Sequence, residues 1–160
     1  MLVLLDFLDE GFNRKSWHGP NLWSSIRGVT AEEAAWRMGP GRHNIWELTL
    51  HAAYWKYVVR RRLTGQKRGN FVLPGSNFFE RPLGDADEAD ASEAAWKADV
   101  AILLNEHREL RLCVSKLSRS AQEAPKTAHM VRGIAAHDIY HAGQIRLLRI
   151  QRQSGPASLL

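Results

Sequence analysis

From about Thr127 to Arg152 the chain runs through roughly seven turns of helical periodicity without a proline. The inward stripe reads Met130, Ile134, His137, His141, Ile145 and Leu148, spaced so that all six share one helix face. A helix of that length spans about 39 Å. Such a face is buried only by partner helices of comparable length, so this segment predicts a helical bundle. It also places two histidines inside the stripe that the bundle must bury.

The rest of the sequence supplies the partners. A first helix is expected from about Leu2 to Lys15, with Leu4, Leu5, Leu8 and Phe12 on one side, before Gly19-Pro20 interrupts it. Pro20 opens a short turn through Leu22, Trp23 and Ile26. Thr30 and Glu33 have capping-box spacing and start a brief helix that Gly39-Pro40-Gly41 ends. A second main helix is predicted from about Asn44 to Leu63, with Gly65 just past its end. A third is predicted from about Asp90, with Glu93 at the capping-box position, to Leu117. The fourth follows Pro125, and the tail SGPASLL is expected to fray. No segment alternates apolar and polar residues, so no sheet is expected. The fold class predicted is all-α: a four-helix bundle in one domain over residues 1–160, with short extra helices between helices one and two.

Residues 66–89 form one long connection. Loops of this length in compact domains are often functional. Phe71, Phe78 and Phe79 suggest that it packs down over something; a loop that merely covers the bundle edge is the alternative.

Four histidines fall on core stripes. His137 and His141 lie in the last helix, His51 lies in the stripe Leu48, His51, Trp55, Val58, and His107 lies in the stripe from Trp96 to Leu117. A buried ring without partners costs about 1–3 kcal/mol. A single one, such as His107, is normally a hydrogen-bonded core residue. The i, i+4 pair is different, because both rings share a face one turn apart, as in helix-borne zinc sites. A divalent ion satisfies a nitrogen from each ring at about 2.0–2.1 Å. A third inward histidine strengthens the case. Three imidazoles leave a coordination position open, the pattern of a catalytic site.

Composition narrows the setting. The one cysteine, Cys113, rules out an intrachain disulfide framework and a Cys-rich zinc site. No stretch reaches the roughly 18 apolar residues of a membrane span. The N-terminal apolar run carries Asp6, Asp9 and Glu10 and lacks the basic lead-in of a signal peptide. A cytoplasmic protein is expected, with no membrane partner. Net charge is +5, much of it from Arg60, Arg61, Arg62, Lys67 and Arg68. Cations at a helix C-terminus account for this cluster. No recognition motif or stacking platform accompanies it, so nucleic acid is not the expected partner.

Three stretches, in order, resemble the DinB superfamily of DinB/YfiT-like four-helix proteins. They are WHGPNLW at 17–23, TAEEAAWRMGPGRHNIWELTLHAAYWKYVVRRRLTG at 30–65 and HDIYHAGQIRLLR at 137–149. The resemblance spans nearly the whole chain and is weakest over 66–89. It implies a metal held by His51, His137 and His141, a bundle with a long crossover connection, and a homodimer. It also implies S-transfer or isomerisation using a low-molecular-weight thiol as co-substrate, on a small-molecule substrate that the sequence does not name; the three-histidine ligand set itself leaves hydrolase-like chemistry equally open. Zinc or nickel is the expected ion, since imidazole suits both. Such an ion lowers the pKa of bound water to about 7 or holds a thiol as thiolate.

Around these ligands, Glu47 and His18 are the candidate catalytic residues, Glu47 because it precedes His51 by one turn on the same side. Surface charge is the other reading of Glu47. Candidate pocket-lining residues are Trp17, His18, Tyr54, Trp55, His107 and Tyr140, with Trp55 and Trp96 also fitting the core. His43 is assigned to the N-terminal cap of the second main helix with Asn44. Asp138, turned about 100° from His137 on an ideal helix, is assigned a solvent or inter-helix role. A non-catalytic, stress-linked binding or scaffold protein, its helices stapled by the metal, is the alternative function.

Overall fold

The computed structural model describes residues 3–69, 71–81 and 89–154; the side chains of 89–91 are outside that description. Among the described residues seven helices follow in order: α1 (Val3–Phe12), α2 (Leu22–Ile26), α3 (Ala31–Ala35), α4 (Ile45–Thr64), α5 (Ala89–Ser115), α6 (Arg119–Glu123) and α7 (Pro125–Ser154). Among the described residues there is no strand, only an isolated bridge between Ser16 and Gly19. No helix among them is long and apolar enough to cross a membrane. The tail from 155 onward lies outside the described residues.

The four long helices α1, α4, α5 and α7 form the bundle. Around the ring, α1 touches α7, α7 touches α4, α4 touches α5, and α5 returns to α1. Side-chain pairs set the directions. Trp46 Nε1 donates to Asp99 at 2.7 Å, and further along Arg60 meets Glu106 at 3.0 Å, so α4 and α5 run parallel. Against α7, His51 of α4 faces His141 and His137 while Lys56 faces Asp138, so that pair is antiparallel. Parallel neighbours cannot be joined by a tight turn. The chain must travel back along α4, roughly 30 Å for twenty residues, and the long connection is that return path. Phe71 lies beside Tyr54 and Tyr57, Asn77 beside Trp55, and Phe78 on His51. Arg81 then reaches Asp99 at 2.7 Å. The loop therefore covers a site and carries the crossover as well.

Helix ends follow local chemistry, with several departures from expectation. Asn44 caps α4 by accepting from the Glu47 amide at 2.8 Å, and Gly65 ends it in the left-handed region at φ 72°. α1 stops at Phe12, earlier than the apolar pattern suggests, where the Asn13 and Arg14 amides both turn onto Asp9 O. At Thr30 only half a capping box forms: Thr30 accepts from Glu33 N, but the Glu33 carboxylate is taken by Arg149 of α7 at 2.8 Å. Glu93, expected at a capping-box position of its own helix, accepts from the Ala31 amide at 2.8 Å and so closes the N-terminus of α3. The complete capping box is at Asn21 and Ser24 of α2, and Ser118 caps the additional helix α6. α7 begins at Pro125 itself, where a missing N–H costs nothing.

Two core devices set how α7 sits. A Cβ on Gly11 would lie 2.8 Å from Ala135 O, so α1 approaches α7 at glycine contact. One turn further along α7, fully buried Lys56 of α4 donates from Nζ to fully buried Asp138. Burial raises the Asp138 carboxyl to about 6, against the opposing pull of Lys56. Asp138 thus has the inter-helix role and no solvent role. Removing one partner strands a charge in the core, so Asp138→Leu should cost about 3–5 kcal/mol, a fall in Tm of roughly 6–20 °C. Adding Lys56→Met should recover most of it, and thermal melts of the two variants measure both.

Candidate metal centre

His51 comes from the middle of α4, and His137 and His141 from successive turns of α7. Because α4 and α7 are antiparallel and packed face to face, the three rings meet between them. His137 Nε2 lies 3.0 Å from His51 Nε2 and 3.1 Å from His141 Nε2. One ligand atom from each ring lies within 4.8 Å of the others, so the trio is able to hold a metal ion.

The outer ring nitrogens of His51 and His141 are held by neighbours, while His137 Nδ1 has no partner among the described residues. His51 Nδ1 donates to the backbone oxygen of Asn77 at 3.0 Å, and His141 Nδ1 to Gln144 Oε1 at 2.6 Å. Carbonyl oxygens only accept, so both rings carry their proton on Nδ1 and aim an Nε2 lone pair inward. Two lone pairs then face a third ring nitrogen at hydrogen-bond distance. One proton on His137 Nε2 serves both only as a shared, bent donor. A cation at the centre satisfies all three. A tetrahedral ion with bonds of about 2.0–2.1 Å separates its ligands by roughly 3.3 Å, close to the spacing observed. The donor set therefore fits a divalent ion that accepts imidazole.

Burial keeps the rings neutral. It lowers His51 to about 4, with the field of His141 adding, and His137 to about 3, with His141 and His51 adding. His141 is also lowered by burial, against its bond to Gln144. Neutral imidazole is the ligating form.

A pocket of about 510 Å³ opens onto these rings. His43, Phe78, Tyr140 and Leu147 contribute to its wall. Phe78 stacks between two imidazoles, with centroids 4.1 Å from His51 and 3.7 Å from His43. Tyr140 keeps its place in the lining, its hydroxyl accepting from Gln144 at 3.2 Å.

Other candidates lie elsewhere. Trp17 is 102% exposed and His18 is exposed, and neither borders this pocket, because α1 ends early and the Ser16–Gly19 turn swings the pair outward. His107 is buried on α5, stacked 3.6 Å on Phe12, since its helix packs against α4 and α1. Neither of its nitrogens has a partner among the described residues, and burial, with Lys56 and Arg111 adding, lowers it to about 2. Tyr54 and Trp55 line a neighbouring cavity under the crossover, although the Trp55 ring still lies 6.3 Å from His51 and from His137. Glu47 is buried and not a surface charge, but both its oxygens are occupied. Arg37 clamps it, and His43 Nδ1 bonds it at 2.8 Å. Burial would raise its carboxyl, and Arg37 and His43 outweigh that and hold it below the ordinary range.

A sequence model of the DinB superfamily matches residues 16–145. The chain belongs to the DinB superfamily. No curated protein and no solved structure matches it in the corresponding comparisons. The match includes all three histidines of the cluster. Sequence reasoning missed Asn77, Gln144 and the pocket position of His43. His43, Glu47 and His51 are spaced by four, a signal that reading His43 as a cap obscured. Asn77, a loop residue at φ 69°, is of a type that tolerates that region, but no pattern ties it to His51.

The depressed ring pKa values make a prediction. The unfolded chain protonates these histidines near pH 6.5, whereas the folded chain resists until about 4 for His51 and 3 for His137. Between those limits the unfolded state binds more protons, so stability falls as pH drops. Urea midpoints of metal-free protein should be level above about pH 6.5 and decline steadily below it, less so in His51→Asn.

Proposed function

We propose that this DinB superfamily protein is a metal-dependent enzyme acting on a small molecule. The single observation carrying the reading is that three imidazole Nε2 atoms converge at the base of an open pocket, with two rings held in the ligating tautomer. A purely structural metal site is normally closed by a fourth protein ligand; here the described residues offer three. The ion proposed is zinc or nickel, by the preference of imidazole donors. When bound, it supplies Lewis acidity and activates water or a thiol as nucleophile at neutral pH. Hydrolysis and S-transfer from a low-molecular-weight thiol both fit that chemistry.

The chain's own residues complete the assignment. His43 is the general acid/base we assign. Its ring borders the pocket, and its Nδ1 is bonded to a buried carboxylate that Arg37 holds in place. Donation from Nδ1 to Glu47 leaves His43 Nε2 as the basic nitrogen, the arrangement by which a carboxylate sets the tautomer of a catalytic histidine. Glu47 thus acts through His43, as a positioning residue. Met38, Leu147 and Leu148 make part of the wall apolar, and Arg42 sits among the lining residues. The substrate favoured is a small molecule with an apolar body.

The alternative is the metal-stapled scaffold, supported by the origin of the ligands in two helices that the ion would tie together.

Elemental analysis of protein purified without a histidine tag should find about one zinc or nickel per chain, and His137→Ala almost none. In the enzyme reading, zinc-dependent turnover of p-nitrophenyl acetate disappears in that variant while the metal-free Tm changes little. A large loss of Tm on stripping the metal, without turnover, would favour the staple. His43→Gln should keep its metal and lose on the order of 10²-fold in rate. Unchanged rates in His43→Gln would sink its assignment.

A further inference from the structure

A second cavity, about 490 Å³, lies between α4 and the crossover, and Trp55 and Asn77 border it. Its charged lining consists of Arg61 and Arg62 from the last turn of α4 and Arg68 from the loop; no Asp or Glu is among its described lining residues. Among the described residues, none of these three guanidiniums meets a carboxylate, although the adjacent Arg60 is paired with Glu106. Arg61 donates from Nη1 to the backbone oxygen of Gln66 at 3.2 Å, and its buried Nε–H has no partner among the described residues. The helix dipole accounts for cations at the end of α4. It does not account for Arg68, which is outside the helix, nor for a buried Nε–H left over. Tyr54, Trp55 and Phe71 supply aromatic surface to the same cavity.

We propose that this cavity is a binding site for a small organic phosphate carrying an aromatic ring. Guanidinium groups bind phosphate oxygens through charge-assisted, often bidentate, hydrogen bonds. The aromatic lining receives the ring of the ligand. The volume falls within the range of small-molecule sites. The charges gather in one concavity and do not extend along a stripe, which favours a small ligand over nucleic acid. The site is separate from the histidine pocket: no described lining residue is common to both, and Trp55 and Asn77 stand between them.

Calorimetry on the full chain tests this with phenyl phosphate, inorganic phosphate and a short single-stranded oligonucleotide. Phenyl phosphate should saturate one site per chain and bind more tightly than inorganic phosphate. Arg62→Gln/Arg68→Gln alters two exposed side chains; it should weaken phenyl phosphate binding by roughly tenfold or more with the melt unchanged. Stripping metal from the wild type with a chelator should leave the affinity as it was. The proposal is overturned by absence of saturable binding, by equal affinity in the double variant, or by loss of binding on metal removal, which would place the ligand on the histidines. Tighter, steeply salt-dependent binding of the oligonucleotide would also overturn it.

Discussion

The buried pair of Lys56 and Asp138 ties α4 to α7 at one register, and the candidate site is downstream of that register. Asp138 is the chain neighbour of His137, and Lys56 lies five residues beyond His51. A slip of one turn between the helices, about 5.4 Å, would part the pair and carry His51 beyond reach of the two α7 rings. Both charges are fully buried, so each is costly to separate from the other. One turn before Asp138 on α7, Gly11 allows α1 to come against the Ala135 backbone. The register of α7 is therefore located by two contacts, with α4 and with α1, that tolerate little displacement.

The crossover is the second determinant. Parallel packing of α4 and α5 obliges a long return path, and the protein uses that path to finish the site. Asn77 holds His51 through its backbone oxygen and Trp55 through its side chain. Phe78 inserts between His51 and His43. Arg81 then anchors the strap on Asp99, the same carboxylate that receives the Trp46 indole. One topological requirement thus gives orientation to a ligand, a wall to the pocket and a boundary to the arginine-lined cavity beside it.

Glu47 shows how the same residue reads differently at two levels. Its spacing from His51 marks it as a neighbour of the ligands, and its charge argues for a surface position. The fold buries it, and Arg37, brought in by the segment after α3, makes the burial affordable by pairing with it. What results is a support for His43. His107 illustrates the reverse. Its place on a core stripe is plain from periodicity, yet the stripe of α5 faces Phe12 of α1 and not the metal ligands.

The sequence by itself determined the all-helical class, the four long segments, the inward position of the histidines, and the need for a long connection after Gly65. These are consequences of local periodicity and of glycine and proline chemistry, which act over a few residues. The shared face of His137 and His141 is such a consequence, because one helix fixes it. The family resemblance already named His51 as the third ligand; only the tertiary structure decided that its ring meets the other two and that of His107 does not, that Glu93 and Glu33 bond to other helices than their own, and that Asn77 completes the site. Those outcomes depend on which helix lies beside which, in what direction and at what register. Pairings across the chain are set by packing and buried charge, and leave no period in the sequence to be read.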